Sequence, residues 1–169
     1  MRRIFALVAG LVAAISLTLV SGAPASADTT GYMEQTSSEG VGIRFCATPQ
    51  GNGTSNGTIV TTWSCTGSSL QQWTYYGDGY LRNVASGKCL TPSGDASAVN
   101  GTVLTLWTCT NAPSQRFVLY QPSSGWDSIF TYYGGKCITN KGDVMAQGVY
   151  LTLWTCNPSK PDPQHWGLW

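Results

Sequence analysis

Three segments of this chain carry the same residues in the same order. Cys46-Ala47-Thr48-Pro49-Gln50-Gly51-Asn52, Cys89-Leu90-Thr91-Pro92-Ser93-Gly94-Asp95 and Cys137-Ile138-Thr139-Asn140-Lys141-Gly142-Asp143 share the pattern Cys-x-Thr-x-x-Gly-Asn/Asp. Each is followed by a block running from glycine to cysteine: GTIVTTWSC (57–65), GTVLTLWTC (101–109) and GVYLTLWTC (148–156). Each copy then reaches a Gln-x-aromatic triplet, at Gln71-Gln72-Trp73, Gln115-Arg116-Phe117 and Gln164-His165-Trp166. Equivalent positions lie 43 to 49 residues apart. Units of that size cannot bury their apolar faces alone and must pack around a shared core. The period predicts a single threefold domain over residues 41–169, with repeats near 41–83, 84–131 and 132–169.

The secondary structure reads as all-β. Ile59 to Trp63, Val103 to Trp107 and Tyr150 to Trp154 are β-branched and aromatic runs bounded by glycine and cysteine, as strands are. Trp73 to Tyr76 and Tyr80 to Arg82 flank Gly77-Asp78-Gly79, whose residues suit a hairpin turn. Phe117 to Tyr120 and Ile129 to Tyr132 flank a looser turn at 121–125 in the same way. Residues 28–40 form a polar lead-in, either flexible or a single closing strand.

Residues 1–27 have the pattern of an export signal. Arg2 and Arg3 precede an apolar run from Ile4 to Val20, and Ala25-Ser26-Ala27 supplies small residues for cleavage. The expected location is therefore extracellular. Six cysteines in an exported chain of this size read as a disulfide framework, for which sequence alone allows 15 pairings. Repeat equivalence reduces these to one local bridge per unit: Cys46 with Cys65, Cys89 with Cys109, Cys137 with Cys156. No Cys-x-x-Cys occurs and His165 is the single histidine, so no metal site and no cofactor are expected.

Without Arg2 and Arg3, seven basic side chains face eight acidic ones, a formal charge near −1. Such a balance offers neither the basic footprint that nucleic acid requires nor a polybasic surface for anionic lipid. Catalysis has little material. Glycoside hydrolysis needs two carboxylates across one bond, and the only glutamates, Glu34 and Glu39, sit together in the lead-in. With the cysteines paired, no nucleophile stands beside a base. The chain reads as a binding protein and not an enzyme.

The three Gln-x-aromatic triplets (QQW, QRF, QHW) follow Trp-x-Cys blocks (TTWSC, TLWTC, TLWTC) and Cys-aliphatic blocks (GKCL, GKCI, with Arg44-Phe45-Cys46-Ala47 in the first copy). In this the chain resembles the ricin-type β-trefoil lectins over about residues 40–169. The resemblance implies a β-trefoil: a six-stranded barrel capped by three hairpins, with the motif aromatics filling the core and a shallow sugar pocket on each repeat. It implies that Trp63, Trp107 and Trp154 are the plates on which the C–H face of a sugar stacks; packing into the core is the competing role for the same rings. The aspartate of the family's pocket falls on Thr48, Thr91 and Thr139, and its glutamine on Thr61, Thr105 and Thr152. A neutral hydroxyl makes one weaker contact where a carboxylate makes charge-assisted ones, so the pockets are expected to be weakened. Asn52, Asp95 and Asp143 are candidate replacements, or turn residues. Asn56, Asn100 and Gln147, each before a glycine, read as turn chemistry. The implied function is a secreted carbohydrate-binding protein whose partner is a glycan or polysaccharide. The alternative is a protein-binding trefoil, such as a protease inhibitor or toxin-associated module, with a secreted protein as its partner.

Overall fold

Between each conserved glycine and cysteine, alternating β-branched and aromatic residues place one side chain inward and the next outward on a pleated backbone. In the computed structural model these blocks are the second strands of three hairpins. They pair β2 (Arg44–Pro49) with β3 (Val60–Ser64), β6 (Cys89–Pro92) with β7 (Leu104–Trp107), and β10 (Lys136–Asn140) with β11 (Leu151–Thr155). The structure describes residues 28–36, 42, 44–120, 128–131, 134–157 and 162–168. The export segment 1–27 and the turn at 121–125 lie outside them.

Register repeats from hairpin to hairpin. The first cysteine of each faces a tryptophan (Cys46 and Trp63, Cys89 and Trp107, Cys137 and Trp154). Two residues further in, threonine faces threonine (Thr48 and Thr61, Thr91 and Thr105, Thr139 and Thr152). The intervening positions turn inward, and Ala47, Val60, Leu90, Leu104, Ile138 and Leu151 are fully buried. Disulfides join Cys46 to Cys65, Cys89 to Cys109 and Cys137 to Cys156, one within each hairpin. With partners 19 or 20 positions apart in sequence, each constrains the unfolded chain by about 3 kcal/mol in the loop-entropy account.

The remaining strands form the barrel: β1 (Thr29–Thr36), β4 (Gln72–Tyr75), β5 (Leu81–Asn83), β8 (Phe117–Tyr120), β9 (Ser128–Thr131) and β12 (Gly167–Leu168). Each repeat therefore contributes four strands, and its first is a barrel strand ahead of the cysteine hairpin. Of the two readings of residues 28–40, the strand is the one observed over Thr29–Thr36. β1 pairs with β4 along one part of its length and with β2 and β12 along the other, and its Met33 is fully buried. The trefoil thus begins well before residue 41. Strand β4 pairs with β5 and β8 with β9, and a bridge between Tyr80 and Arg116 links the second repeat's entry to its exit. Trp73, Phe117 and Trp166 of the Gln-x-aromatic triplets are buried at the centre. The two indole N–H groups donate to the carbonyls of Ala47 (3.0 Å) and Ile138 (3.2 Å), so neither ring leaves its polar atom unpaired.

The hairpins are completed by one another. Gly57 N–H donates to Leu106 O and Leu106 N–H to Thr58 O, both at 2.8 Å. Gly101 and Leu153, then Gly148 and Thr62, repeat the arrangement at 2.7 Å, so repeat 1 is joined to 2, 2 to 3 and 3 to 1. The side chains read as turn formers take part. Asn56 bonds Thr108, Asn100 bonds Thr155, and Gln147 bonds Ser64, each reaching the end of a neighbouring repeat's strand. The three glycines need left-handed backbone (φ +84, +83 and +76). A side chain at Gly101 has room, its Cβ lying 3.6 Å from Trp154 Cζ3, so its cost is conformational. Gly101→Ala is expected to lower the unfolding free energy by about 1–2 kcal/mol, read as a shift in the denaturation midpoint with the slope unchanged.

Candidate binding pockets of the three repeats

The outward face of each hairpin carries a disulfide, a pair of threonines and a tryptophan in the same order. Trp63, Trp107 and Trp154 are 46%, 45% and 50% exposed. They are surface rings and not core filler, which sets aside the core-packing role. Each rests on the glycine that begins the preceding repeat's cross-connection: Trp107 against Gly57, Trp154 against Gly101 and Trp63 against Gly148, at 3.6 to 3.8 Å from the position of a Cβ. With no side chain beneath it, the six-membered ring lies close against backbone, and about half of the indole is left to solvent.

The threonines form a buried floor. Thr48 and Thr91 donate to the carbonyls of Cys46 (2.8 Å) and Cys89 (3.0 Å). They also accept from the motif glutamines, Gln71 Nε2 at 3.0 Å and Gln115 Nε2 at 2.9 Å. Thr61, Thr105 and Thr152 donate across the hairpin to the carbonyls of Thr48, Thr91 and Thr139. One donor and one lone pair of Thr48 and Thr91 are therefore already used, and a single lone pair remains on each. Repeat 3 differs. Gln164 Nε2 donates to Thr155 O at 3.1 Å as its equivalents do, but among the described residues the buried Thr139 hydroxyl has no hydrogen-bond partner.

The glutamines hold the loop after the second cysteine. Gln71 and Gln115 accept from the backbone N–H groups of Thr66 (2.7 Å) and Thr110 (2.9 Å), and Gln164 from that of Asn157 (2.8 Å). The same side chains donate back to Ser64, Thr108 and Thr155. All three are at least 95% buried, so their amides position the loop and leave ligand contacts to the groups around them.

Asn52, Asp95 and Asp143 end three equivalent 3-10 turns, each after a glycine and each with φ between +57 and +59. Asparagine and aspartate tolerate that left-handed region better than most residues, so the turn accounts for the residue type. It also sets where the side chain goes. Asp95 and Trp107 line one pocket of about 550 Å³, together with Thr91, Thr105 and Gln115 of the same repeat and Gly57 and Ile59 of repeat 1. One Asp95 carboxylate oxygen accepts from the Ser114 hydroxyl at 2.6 Å, a charge-assisted bond that fixes the acid in place. Asp143 and Trp154 line a smaller pocket of about 310 Å³ with Asn157, Pro163 and Gln164. In repeat 1 the same turn position presents the neutral, exposed amide of Asn52. Ser114 and Ile59 are the participants that motif reading missed. Ser114 stands immediately before the motif glutamine, where the other copies have Leu70 and Pro163. That one-residue polar departure was the available signal.

Glu34 is buried, 3.5 Å from Arg44 Nε, and its carboxylate lies close to the sulfurs of Cys46 and Cys65. Those sulfurs are bonded to each other and present no thiolate to a metal.

The family model of the ricin-type beta-trefoil lectin domain matches residues 37–166, a span that takes in all three hairpins and all three Gln-x-aromatic triplets. Comparison with curated proteins gives no match. Among solved structures the chain is similar to the designed threefold symmetric protein ThreeFoil, at 22% identity and a TM-score of 0.69, over 82% of this chain and 97% of that one. It is also similar to the C-half of the earthworm R-type lectin in complex with GalNAc, at 12% identity and a TM-score of 0.62, over 83% and 97% of the two chains. An exo-beta-1,3-galactanase from Clostridium thermocellum matches at 23% identity and a TM-score of 0.66 over 81% of this chain, which spans 30% of the enzyme. At these identities the likeness is one of fold. Taken with the family match over three hairpins in common register, it places the chain in the ricin-type β-trefoil lectin domain family.

Proposed function

We propose that the protein is an exported carbohydrate-binding module whose strongest pocket is that of repeat 2. The observation that carries this reading is the pairing, in one pocket, of a half-exposed indole with a fixed carboxylate. A pyranose offers an apolar C–H face and a rim of hydroxyl donors. Trp107 meets the first and Asp95 the second. The acid lies on the turn at position 95 and not on the strand at position 91, so the hydroxyls it accepts differ from those met by an acid on the strand. Repeat 3 has the same pair of residue types in a smaller pocket. Repeat 1 has only an amide, and is the weakest of the three. Three such sites on one chain favour a polymeric or clustered glycan, because linked weak contacts raise avidity without any new contact.

Binding without catalysis fits the same groups. Asp95 is engaged by Ser114, and no second carboxylate lines its pocket. Export is supported by the pattern of residues 1–27 and by six cysteines that are all paired, as an oxidising compartment allows.

Titration calorimetry against galactose, lactose and xylo-oligosaccharides tests the reading. Trp107→Ala is expected to weaken binding by about 1–3 kcal/mol, the scale of one lost aromatic face, while the circular dichroism spectrum stays unchanged. Replacing Trp63, Trp107 and Trp154 together is expected to abolish it; full affinity in the folded triple variant would refute sugar stacking. Asp95→Ala removes a charged acceptor and is expected to cost about 1.5–3 kcal/mol, with Asn52→Ala having little effect. For export, N-terminal sequencing of secreted protein is expected to begin at Asp28.

A further inference from the structure

Arg116 is the middle residue of the second Gln-x-aromatic triplet, where the other copies have Gln72 and His165. Its guanidinium lies over the ring of Tyr80, 5.1 Å from the centroid, and donates one N–H to Asp78 O at 2.9 Å. Tyr80 is itself buried and donates its hydroxyl to Asn111 Oδ1 at 3.3 Å. A ring platform and a backbone anchor thus hold the cation in one place. It forms no ion pair among the described residues, although the acidic Asp78 lines the same depression. A guanidinium has five N–H donors, and among the described residues only one is used.

This cation lines a depression of about 520 Å³ between the Gly77-Asp78-Gly79 turn and the loop through Asn111 and Pro113. The depression is distinct from the Trp107 pocket but adjoins it. Thr110 and Gln115 line the Trp107 pocket, while Asn111, Pro113 and Arg116 line the depression. Thr110 and Asn111, like Gln115 and Arg116, are consecutive, so the two spaces are lined by neighbouring residues of the same segments. The amide of Asn111, whose oxygen is taken by Tyr80, has its Nδ2 donors for a ligand. Fixed guanidinium and amide donors in a hollow with a partly aromatic lining match a carboxylate on a sugar ring.

We propose that this depression is an accessory subsite for the carboxylate of a hexuronic acid, carried by a saccharide that also reaches the Trp107 plate. The second clause rests on the carbohydrate-binding reading; the first stands on the Arg116 site alone. The preferred ligand is then an acidic polysaccharide, engaged through repeat 2.

Two measurements test this on the full mature chain. In the first, NMR follows the side-chain resonances of Arg116 and Asn111 during titration with glucuronate and with glucose. Glucuronate is expected to move both and glucose neither, and the effect is expected to fade with added salt. In the second, calorimetry compares xylotetraose with the same oligomer bearing one glucuronic acid branch. The acidic oligomer is expected to bind about tenfold tighter, the lower end of what a hydrogen bond to a charged group contributes, since the unbranched oligomer makes no contact at the subsite. Arg116→Gln is expected to remove both the Asn111 response and the preference while leaving the response of the Trp107 indole N–H resonance to xylotetraose. Arg116→Lys, which keeps the charge but not the fork, is expected to recover only part of the preference. The proposal is overturned if glucuronate leaves both resonances unmoved, or if the preference survives in Arg116→Gln. Should glucuronate move Arg116 while no oligosaccharide moves the Trp107 indole resonance, the acidic subsite holds and stacking on the plate fails.

Discussion

Backbone hydrogen bonding between repeats is the constraint on which the other features of this molecule depend. A two-stranded hairpin is marginal by itself, even with a disulfide across its end. Here each hairpin gains a third partner from a neighbour, through Gly57 and Leu106, Gly101 and Leu153, and Gly148 and Thr62. The crossing point takes left-handed backbone, which favours glycine, and the next repeat's tryptophan packs beside it. Barrel cohesion and the seating of the exposed tryptophans therefore meet at one place.

The same economy explains the threonines. In repeats 1 and 2 the positions that the resemblance assigns to the acid and the glutamine of the family's pocket carry hydroxyls turned into the protein, to a carbonyl two residues back or across the strand pair. The motif glutamines then bind Thr48 and Thr91 as well as the loop that follows. Polar contacts that would face a ligand have become internal contacts, and the remaining acid stands on the turn, where Ser114 steadies it. Repeat symmetry is kept in the scaffold and lost in the polar groups, so the outward faces of the three repeats are unequal.

Much of this was legible in the sequence because it is local. Hairpin strands, disulfide partners and the buried aromatics all fall at fixed offsets within one repeat, and the period exposes them. The barrel strands were legible where a hairpin turn marks them, as Tyr80 to Arg82 and Ile129 to Tyr132 show. Thr29–Thr36 was left open between a strand and a flexible lead-in, since its pairing is set by distant strands. Exposure of Trp63, Trp107 and Trp154 was equally hidden, because it is set by packing against another repeat. So was the engagement of the Thr91 hydroxyl, which is decided by Gln115, 24 residues away.

The contact of each tryptophan with the preceding repeat's glycine has one more consequence. Plate 2 lies on repeat 1, plate 3 on repeat 2 and plate 1 on repeat 3, so the cycle has a direction but no beginning. Chain order does not enter into it. A circular permutant opened in any inter-repeat connection would keep every plate on its seat, whereas a fragment of one repeat would have none. A separate repeat would regain that seat only by assembling with two copies of itself.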